Sequence, residues 1–391
     1  MKIFLHGRGT VSAAGSNSAA AWAGYASGLS TWKKDPVTGL PVYGVEDLPD
    51  RPAVASFAAG RRADRVTELA LYAADEAVRQ AGWTDTSFSI LVGCSRGPTT
   101  SWEAGFDIFR EKGTVPTRTS PQTTLGGIGF ALADYFGNVA LSSSLSVTCS
   151  SGFHALLHGV ALLRSGLADR VLVGGAEAPL TTFTLRQLEA LRIVAPVPNV
   201  HAHACRPFST PASGMALGEG AAFFALSREP GPYEISALGF AREAAGSATG
   251  ITPDASALHA AMQQATAQAG PPNFIVAHAP GTKRGDAAEA RAIQRLRGDA
   301  PGDAAVTSFK WATGHTFGAS GPLALDAAIS VLEHQSWLPL PYGGVGDAPR
   351  SPGRVLVNAT GFGGNAVCVG VEPAPPAKSL SAPISVEGVP T

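Results

Sequence analysis

The sequence is poor in charge. Asp, Glu, Lys and Arg make up 15% of its 391 residues, against roughly 25% in an average soluble domain. A chain with few charges has less polar surface to spread, so a large buried core and a sizeable subunit interface are expected. The formal net charge is −1, which removes any overall electrostatic case for nucleic acid or anionic lipid as a partner. The sequence lacks the run of about 18 apolar residues that a membrane span needs. The opening "MKIFLHGRGTVSAAGSNS" has no long apolar run after its lysine and reads as a strand and turn, not a signal peptide. Cysteine is sparse as well. Cys94, Cys149, Cys205 and Cys368 lie far apart and form no CxxC pair, which argues against a zinc site and for a reducing, cytoplasmic setting.

What is present is apolar and glycine-rich: 45% hydrophobic residues and 46 glycines. Runs of strand length recur, among them "KIFLHG", "SILVGC", "RVLVGGAE", "GAAFFALS", "NFIVAHAPG" and "RVLVNATGFGG". Helix-like segments lie between several of them: Arg65 to Gly82, Ser151 to Gly166, Ser256 to Gly270 and Pro322 to Gln335. Short buried strands alternating with amphipathic helices predict an α/β protein. In the first helix Val66, Leu69, Ala73 and Ala77 share one side, and Gly82 marks its end. "SILVGC" and "NFIVAHAPG" each follow a helix ending in Ala-Gly, which is compatible with a duplicated architecture. The tail after Glu372 is rich in Pro and Ser and is expected to be extended.

The stretch "SVTCSSGFHALLHGVALLRSG", Ser146 to Gly166, places Cys149 where a helix begins. Small polar residues there are capping signals. A cysteine at a helix start faces unpaired backbone N–H groups and the positive end of the helix dipole, and both favour the thiolate. The same residue also reads as a small buried core cysteine. The stretch alone does not decide, because a nucleophile needs partners elsewhere. Two histidines have suitable surroundings. His278 follows an apolar run and precedes a glycine turn, and His315 lies between glycines five residues after Lys310. A histidine at a strand's C-terminal edge is well placed for a site in an α/β fold. His154 and His158 are four apart but have no third ligand in view, so a metal pair is not expected.

Taken in order, these segments resemble the β-ketoacyl-acyl carrier protein synthases of the elongating type, within the thiolase superfamily of condensing enzymes. "GTVSAAGSNSAAAWAGYASGLS" is similar to the family's opening strand, turn and helix, and "TCSSGFHALLHGVALLRSGLADRVLVGGAEA" to its nucleophile segment. "RPFSTPASGMALGEGAAFFAL" keeps Arg206-Pro207-Phe208 and Gly218-Glu219-Gly220-Ala221 at the family's spacing. "HAPGTKRGDAAEA" resembles its HGTGT loop, "SFKWATGHTFGASG" its lysine and Gly-His segment, and "GFGGN" its closing loop.

The resemblance implies a thiolase fold of two similar α/β halves in a five-layered αβαβα body, normally a homodimer. The halves are expected at residues 1–228, carrying the nucleophile, and 229–373, carrying both histidines, with a tail at 374–391. The resemblance gathers Cys149, His278 and His315 into one buried site with Lys310 beside it. It makes Cys149 the acyl-accepting nucleophile, its pKa lowered by the helix dipole. The two histidines, with protons on Nε2, become hydrogen-bond donors to a malonyl thioester. It gives Phe362 a gating role eased by glycines such as Gly363, and gives Thr282 a contact with the pantetheine arm. No free cofactor is implied, because that arm arrives on acyl carrier protein. Lys283 and Arg284 are candidates for a basic patch facing that acidic partner, and the segment Gly105 to Thr124 is expected at the dimer interface. Departures are visible too: Pro280 replaces the first threonine of HGTGT, and Ala324 stands where the family commonly has glutamate, with Asp326 two residues later. The resemblance therefore points to decarboxylative condensation in fatty acid or specialised polyketide or polyene synthesis. A chain-length-factor-like partner subunit in a heterodimer, or an acyltransferase on the same fold, are the alternatives.

Overall fold

The structure is a computed structural model and describes residues 1–244, 246, 250–299, 304–343 and 352–375. Of the expected tail at 374–391, all but the first two residues lie outside the described residues. Ten strands form the main sheet: β1 (Phe4–Ser12), β2 (Ser89–Gly93), β3 (Ser142–Leu145), β4 (Arg170–Glu177), β5 (Gly220–Ser227), β6 (Tyr233–Arg242), β7 (Phe274–Val276), β8 (Ala305–Thr307), β9 (Val355–Gly361) and β10 (Asn365–Pro373). Their spatial order is β8-β7-β9-β10-β6-β1-β5-β4-β2-β3. At the centre, β1 and β6 share just two residue pairs, Phe4 with Glu234 and Leu5 with Tyr233.

The same pattern runs outward from that seam in both directions. β1, β5 and β4 are antiparallel neighbours, and β4, β2 and β3 are parallel. In the other half β6, β10 and β9 are antiparallel, and β9, β7 and β8 are parallel. β2 and β7, the two strands that each follow an Ala-Gly helix end, occupy equivalent positions.

Helix α1 (Arg65–Gln80) packs on β1, β5 and β4. Asp64 caps its start by accepting the Val66 N–H at 3.0 Å. Its expected apolar stripe is buried. So are Ala70, Leu71, Tyr72 and Ala74, because helices Pro52–Arg61 and Gly126–Phe136 cover the other side. Helix α2 (Ser151–Ser165) lies on β4 and β2 and also reaches β10, while α3 (Ser256–Ala269) packs on β6 and β10. Helix α4 (Ser320–His334) touches strands of both halves. Thus α2 and α4 form the middle layer, α1 and α3 the outer ones, and the body has the five layers of the thiolase fold.

Expected strands and helices recur with small changes in their ends. β3, β6, β8 and β10 are additional. β3 is serine-rich and half-buried at the sheet edge, and β8 has three residues, so neither carries a pattern long enough to read.

Glycines let the middle layer press on the sheets. A side-chain carbon on Gly93 would meet the backbone of Ser151 and Gly152 closer than 3.0 Å. One on Gly152 or Gly175 would meet the Gly318 carbonyl oxygen at 2.6 Å. One buried ion pair also crosses the halves: Arg8 Nη1 on β1 bonds Asp326 Oδ1 of α4 at 2.9 Å. Gly93→Ala is therefore expected to cost about 1–3 kcal/mol of stability through overpacking. Gly60→Ala is expected to gain about 0.5–1 kcal/mol, because Gly60 is exposed in a helix with open space around it. Urea unfolding of both variants checks the two signs.

Candidate active site

Three chain segments meet beyond the C-terminal ends of parallel strands. Cys149 sits between β3 and α2, His278 follows β7, and Lys310 and His315 follow β8. All four are buried.

Cys149 lies on a strained turn rather than inside the helix. Thr148 before it has φ of 50°, a left-handed conformation uncommon outside glycine. The expectation that the following serines cap the helix is not met. The Ser150 hydroxyl bonds the Val147 carbonyl at 2.9 Å and the Ser151 hydroxyl bonds the Thr148 carbonyl at 2.6 Å. The Ser151 oxygen in turn accepts the Val147 N–H at 2.8 Å. Thr148 Oγ1 donates to the Phe362 carbonyl at 3.2 Å, so the closing loop of one half is tied to the nucleophile turn of the other.

His315 Nε2 lies 3.1 Å from Cys149 Sγ. Its Nδ1 lies 3.2 Å from Ser320 Oγ, at the start of α4. Its backbone is fixed by bonds to Ala216 and Gly218. Phe317 packs against the ring, with centroids 5.1 Å apart. The His278 ring stands nearly perpendicular to that of His315, at 87°, with centroids 5.3 Å apart. Glu289 holds the His278 loop: its two carboxylate oxygens accept the His278 N–H at 2.9 Å and the Ala279 N–H at 2.7 Å. Asn358 Nδ2 on β9 donates to the same carboxylate at 3.0 Å. Asp286 accepts the Gly281 N–H at 3.0 Å and the Phe208 N–H at 2.8 Å.

The electrostatics correct one expectation. Burial, followed by the nearby Glu177 carboxylate, pushes the Cys149 thiol up to about 12, against the smaller opposing pull of Lys310. With desolvation the largest cause, the resting sulfur is held as a thiol. Burial and the Lys310 charge hold both His278 and His315 well below the usual imidazole range, so both rings are neutral. Lys310 is itself lowered by burial, against the opposing charges of Glu289 and Cys205. Glu177 is raised by burial, although its carboxylate accepts N–H groups from Ser95, Arg96 and Gly318 at 2.7, 2.9 and 3.0 Å.

A cavity of about 580 Å³ opens on the site, lined by Cys149, His278, His315, Phe317, Phe362 and Thr282 among others. Exposed Arg192, Lys283 and Arg284 are also on its wall. Gly363, at φ of 84°, is not part of that lining. Thr282 Oγ1 also accepts the Gly285 N–H at 3.3 Å, at the start of the helix Lys283–Asp299. Pro280 lines the cavity as well. Ala324 is packed in the core, and Asp326 is turned to Arg8 and Ser18, away from the site. Among the described residues no cluster of three or more His, Cys, Asp or Glu could hold a metal, and no helix is long and apolar enough to cross a membrane.

Glu177, Glu289, Ser320 and Phe317 are not readable as site residues in the sequence. Two of them leave a trace. Glu177 ends an otherwise apolar strand, and Asp286 with Glu289 forms an i, i+3 acidic pair early in a helix, which in a buried setting points at backbone N–H groups.

A five-layered thiolase body with a buried Cys-His-His set defines a condensing enzyme. The chain belongs to the β-ketoacyl synthase family of the thiolase superfamily, matching the family's N-terminal domain over residues 35–230 and its C-terminal domain over residues 233–341. It is 31% identical over 300 residues to the tetracenomycin polyketide synthase ketoacyl synthase alpha subunit of Streptomyces glaucescens, covering 69% of each chain. It is also 31% identical over 295 residues to nodulation protein E of Rhizobium meliloti, covering 69% of this chain and 70% of that one. A β-ketoacyl synthase from Burkholderia phymatum STM815 shares its fold, with a TM-score of 0.84 at 22% identity over 96% of this chain and 100% of the other. The ketosynthase of a type II polyketide synthase, in complex with its acyl-carrier protein, gives a TM-score of 0.83 at 20% identity over 95% and 99%. The chain is thus a β-ketoacyl synthase, an enzyme of carbon–carbon bond formation by condensation.

With a thiol at rest, alkylation of Cys149 by iodoacetamide is expected to rise about tenfold per pH unit between about pH 7 and pH 9, without levelling. A plateau in that range would mean that the thiolate is already formed in the free enzyme.

Proposed function

We propose that Cys149 accepts an acyl chain from a carrier thioester and that the acyl-enzyme condenses with a malonyl group on acyl carrier protein. The contact between His315 Nε2 and Cys149 Sγ, 3.1 Å in a buried pocket shared with His278, carries this reading. In the first half-reaction the sulfur attacks the thioester carbonyl, and the thiol proton ends on the departing carrier thiolate. The carbonyl carbon gains the Cys149 sulfur and the carbon–sulfur bond to the carrier breaks, while both histidines keep their protons on Nε2. In the second, the bond from the malonyl carbon to its carboxylate breaks and carbon dioxide leaves. The electron pair forms an enolate, steadied by hydrogen bonds from the two imidazoles. Among the described residues His278 Nδ1 meets no hydrogen-bond partner, which suits a proton held on Nε2. The enolate carbon then attacks the acyl-cysteine, and Cys149 leaves as a thiolate beside the Lys310 charge. Phe362, flanked by Gly363, gates the cavity, and Thr282 meets the pantetheine arm.

The substrates arrive on phosphopantetheine, so the reading calls for no free cofactor. Exposed Arg192, Lys283 and Arg284 on the cavity wall suit an acidic carrier protein. A dimer is supported by the edge strand β3 and by the exposed Trp102, Phe106 and Phe109 on the helix Thr99–Lys112, an apolar surface of the kind that interfaces cover. The halves divide between β5 and β6, in keeping with domains at 1–228 and 229–373. The polyketide names of its relatives favour a specialised pathway over housekeeping fatty acid synthesis.

Mass spectrometry after incubation with acyl-carrier thioesters tests the assignment. The wild type is expected to gain an acyl mass that Cys149→Ala lacks, and His278→Ala is expected to lose at least about 100-fold in malonyl-carrier decarboxylation. Failure of every primer to acylate Cys149 would instead favour a chain-length-factor-like partner subunit. Acylation without decarboxylation would favour a simple acyltransferase.

A further inference from the structure

Phe362 sits at the tip of the hairpin that joins β9 to β10, next to the paired Gly361 and Asn365, and lines the cavity with Cys149. Gly363 and Gly364 follow it at φ of 84° and 78°, a left-handed turn that glycine forms without steric cost. This tip is tied on two sides. The Glu243 N–H, just past β6, donates to the Gly364 carbonyl at 3.0 Å, and a side-chain carbon on Gly364 would meet the Glu243 carbonyl oxygen closer than 3.0 Å. On the other side Thr148 Oγ1 donates to the Phe362 carbonyl at 3.2 Å. A side-chain carbon on Gly361 would meet Thr148 Oγ1 closer than 3.0 Å. Asn365 Nδ2 reaches the Phe362 carbonyl too, at 3.4 Å, but Asn365 belongs to the hairpin and moves with it. The Thr148 hydroxyl therefore joins the tip to the nucleophile turn of the other half.

We propose that Thr148 is a positioning residue that latches Phe362 to the nucleophile turn, so that a long acyl chain reaches Cys149 only when this bond breaks. The proposal rests on the gating reading of Phe362 given above. Thr148 holds φ of 50°, an outlier for a β-branched side chain that persists where the surroundings fix it. Its carbonyl accepts the Ser151 hydroxyl at 2.6 Å and the Ser151 N–H at 3.1 Å, so the turn is pinned from the side of α2. The hydroxyl is thus carried on a rigid mount beside the nucleophile, while its acceptor sits on a turn with two glycines. A short acyl group needs no more than rotation of the Phe362 ring about its side-chain bonds. A long chain needs the ring further aside, which moves the backbone of Phe362 and its carbonyl. That shift breaks the Thr148 bond, whose net strength sets how often the wide opening occurs.

Two alkylating reagents of different length test this, iodoacetamide and its N-dodecyl derivative, with modification read on the Cys149 peptide by mass spectrometry. Both need the same thiolate, so the ratio of their rates reports entry and not acidity. Thr148→Val keeps the shape and loses the donor, and is expected to raise the long-to-short ratio about two- to tenfold, the range of one net hydrogen bond. Thr148→Ala is expected to move the ratio the same way, and serves if the first variant does not fold. Thr148→Ser keeps the hydroxyl and is expected to stay near the wild-type ratio. Hydrogen exchange of the Glu243 amide, which is bonded to the tip, is expected to quicken by a similar factor in Thr148→Val, while that of Val369 within β10 stays unchanged. Equal quickening at both amides would mean that Thr148 merely supports the fold, and overturns the proposal. A ratio unchanged in Thr148→Val but raised in Phe362→Ala overturns the latch and leaves the gate. A ratio unchanged in both variants removes the gate itself, and the proposal falls with that reading.

Discussion

The start of α2 is pressed against both the sheet and the turn that carries His315, and the active site depends on that contact. Gly93 on β2, Gly152 on α2, Gly175 on β4 and Gly318 in the turn before α4 meet with no room for a side-chain carbon. Their approach puts Cys149 and His315 3.1 Å apart although 166 residues separate them. Close-packed interiors transmit such constraints because they deform little. The Thr148 bond to the Phe362 carbonyl and the Arg8–Asp326 pair carry the same registration across the two halves.

Burial then sets the chemistry. Burial holds the cysteine as a thiol and both imidazoles neutral, and each departure from ordinary titration has desolvation as its largest cause. Two acidic residues are kept close by without touching the nucleophile. Glu177 and Glu289 are spent on backbone N–H groups, so they act as braces for loops.

Two replacements in familiar motifs are accommodated in different places. Ala324 sits among apolar neighbours, and Asp326, two residues further along α4, forms a structural pair with Arg8 instead of entering the site. Pro280 keeps its place on the cavity wall without the hydroxyl of a threonine.

The sequence by itself determined the α/β class and most of the buried strands, and through its family resemblance it marked Cys149, His278, Lys310 and His315 as residues expected to share a site. Apolar runs, helical spacing and ordered motifs are local, and local patterns survive in one dimension. The short strands β3, half-buried, and β8, buried but three residues long, were not legible, since their pairing comes from neighbours far along the chain. Only the tertiary structure decided which atoms of the site face each other. It replaced the activated thiolate expected from a helix start with a buried thiol. It turned the serines after Cys149 into ties for a strained turn, and it brought Ser320, Glu289 and Glu177 to the site. These outcomes depend on desolvation and on contacts between remote segments, and neither is encoded at any single position.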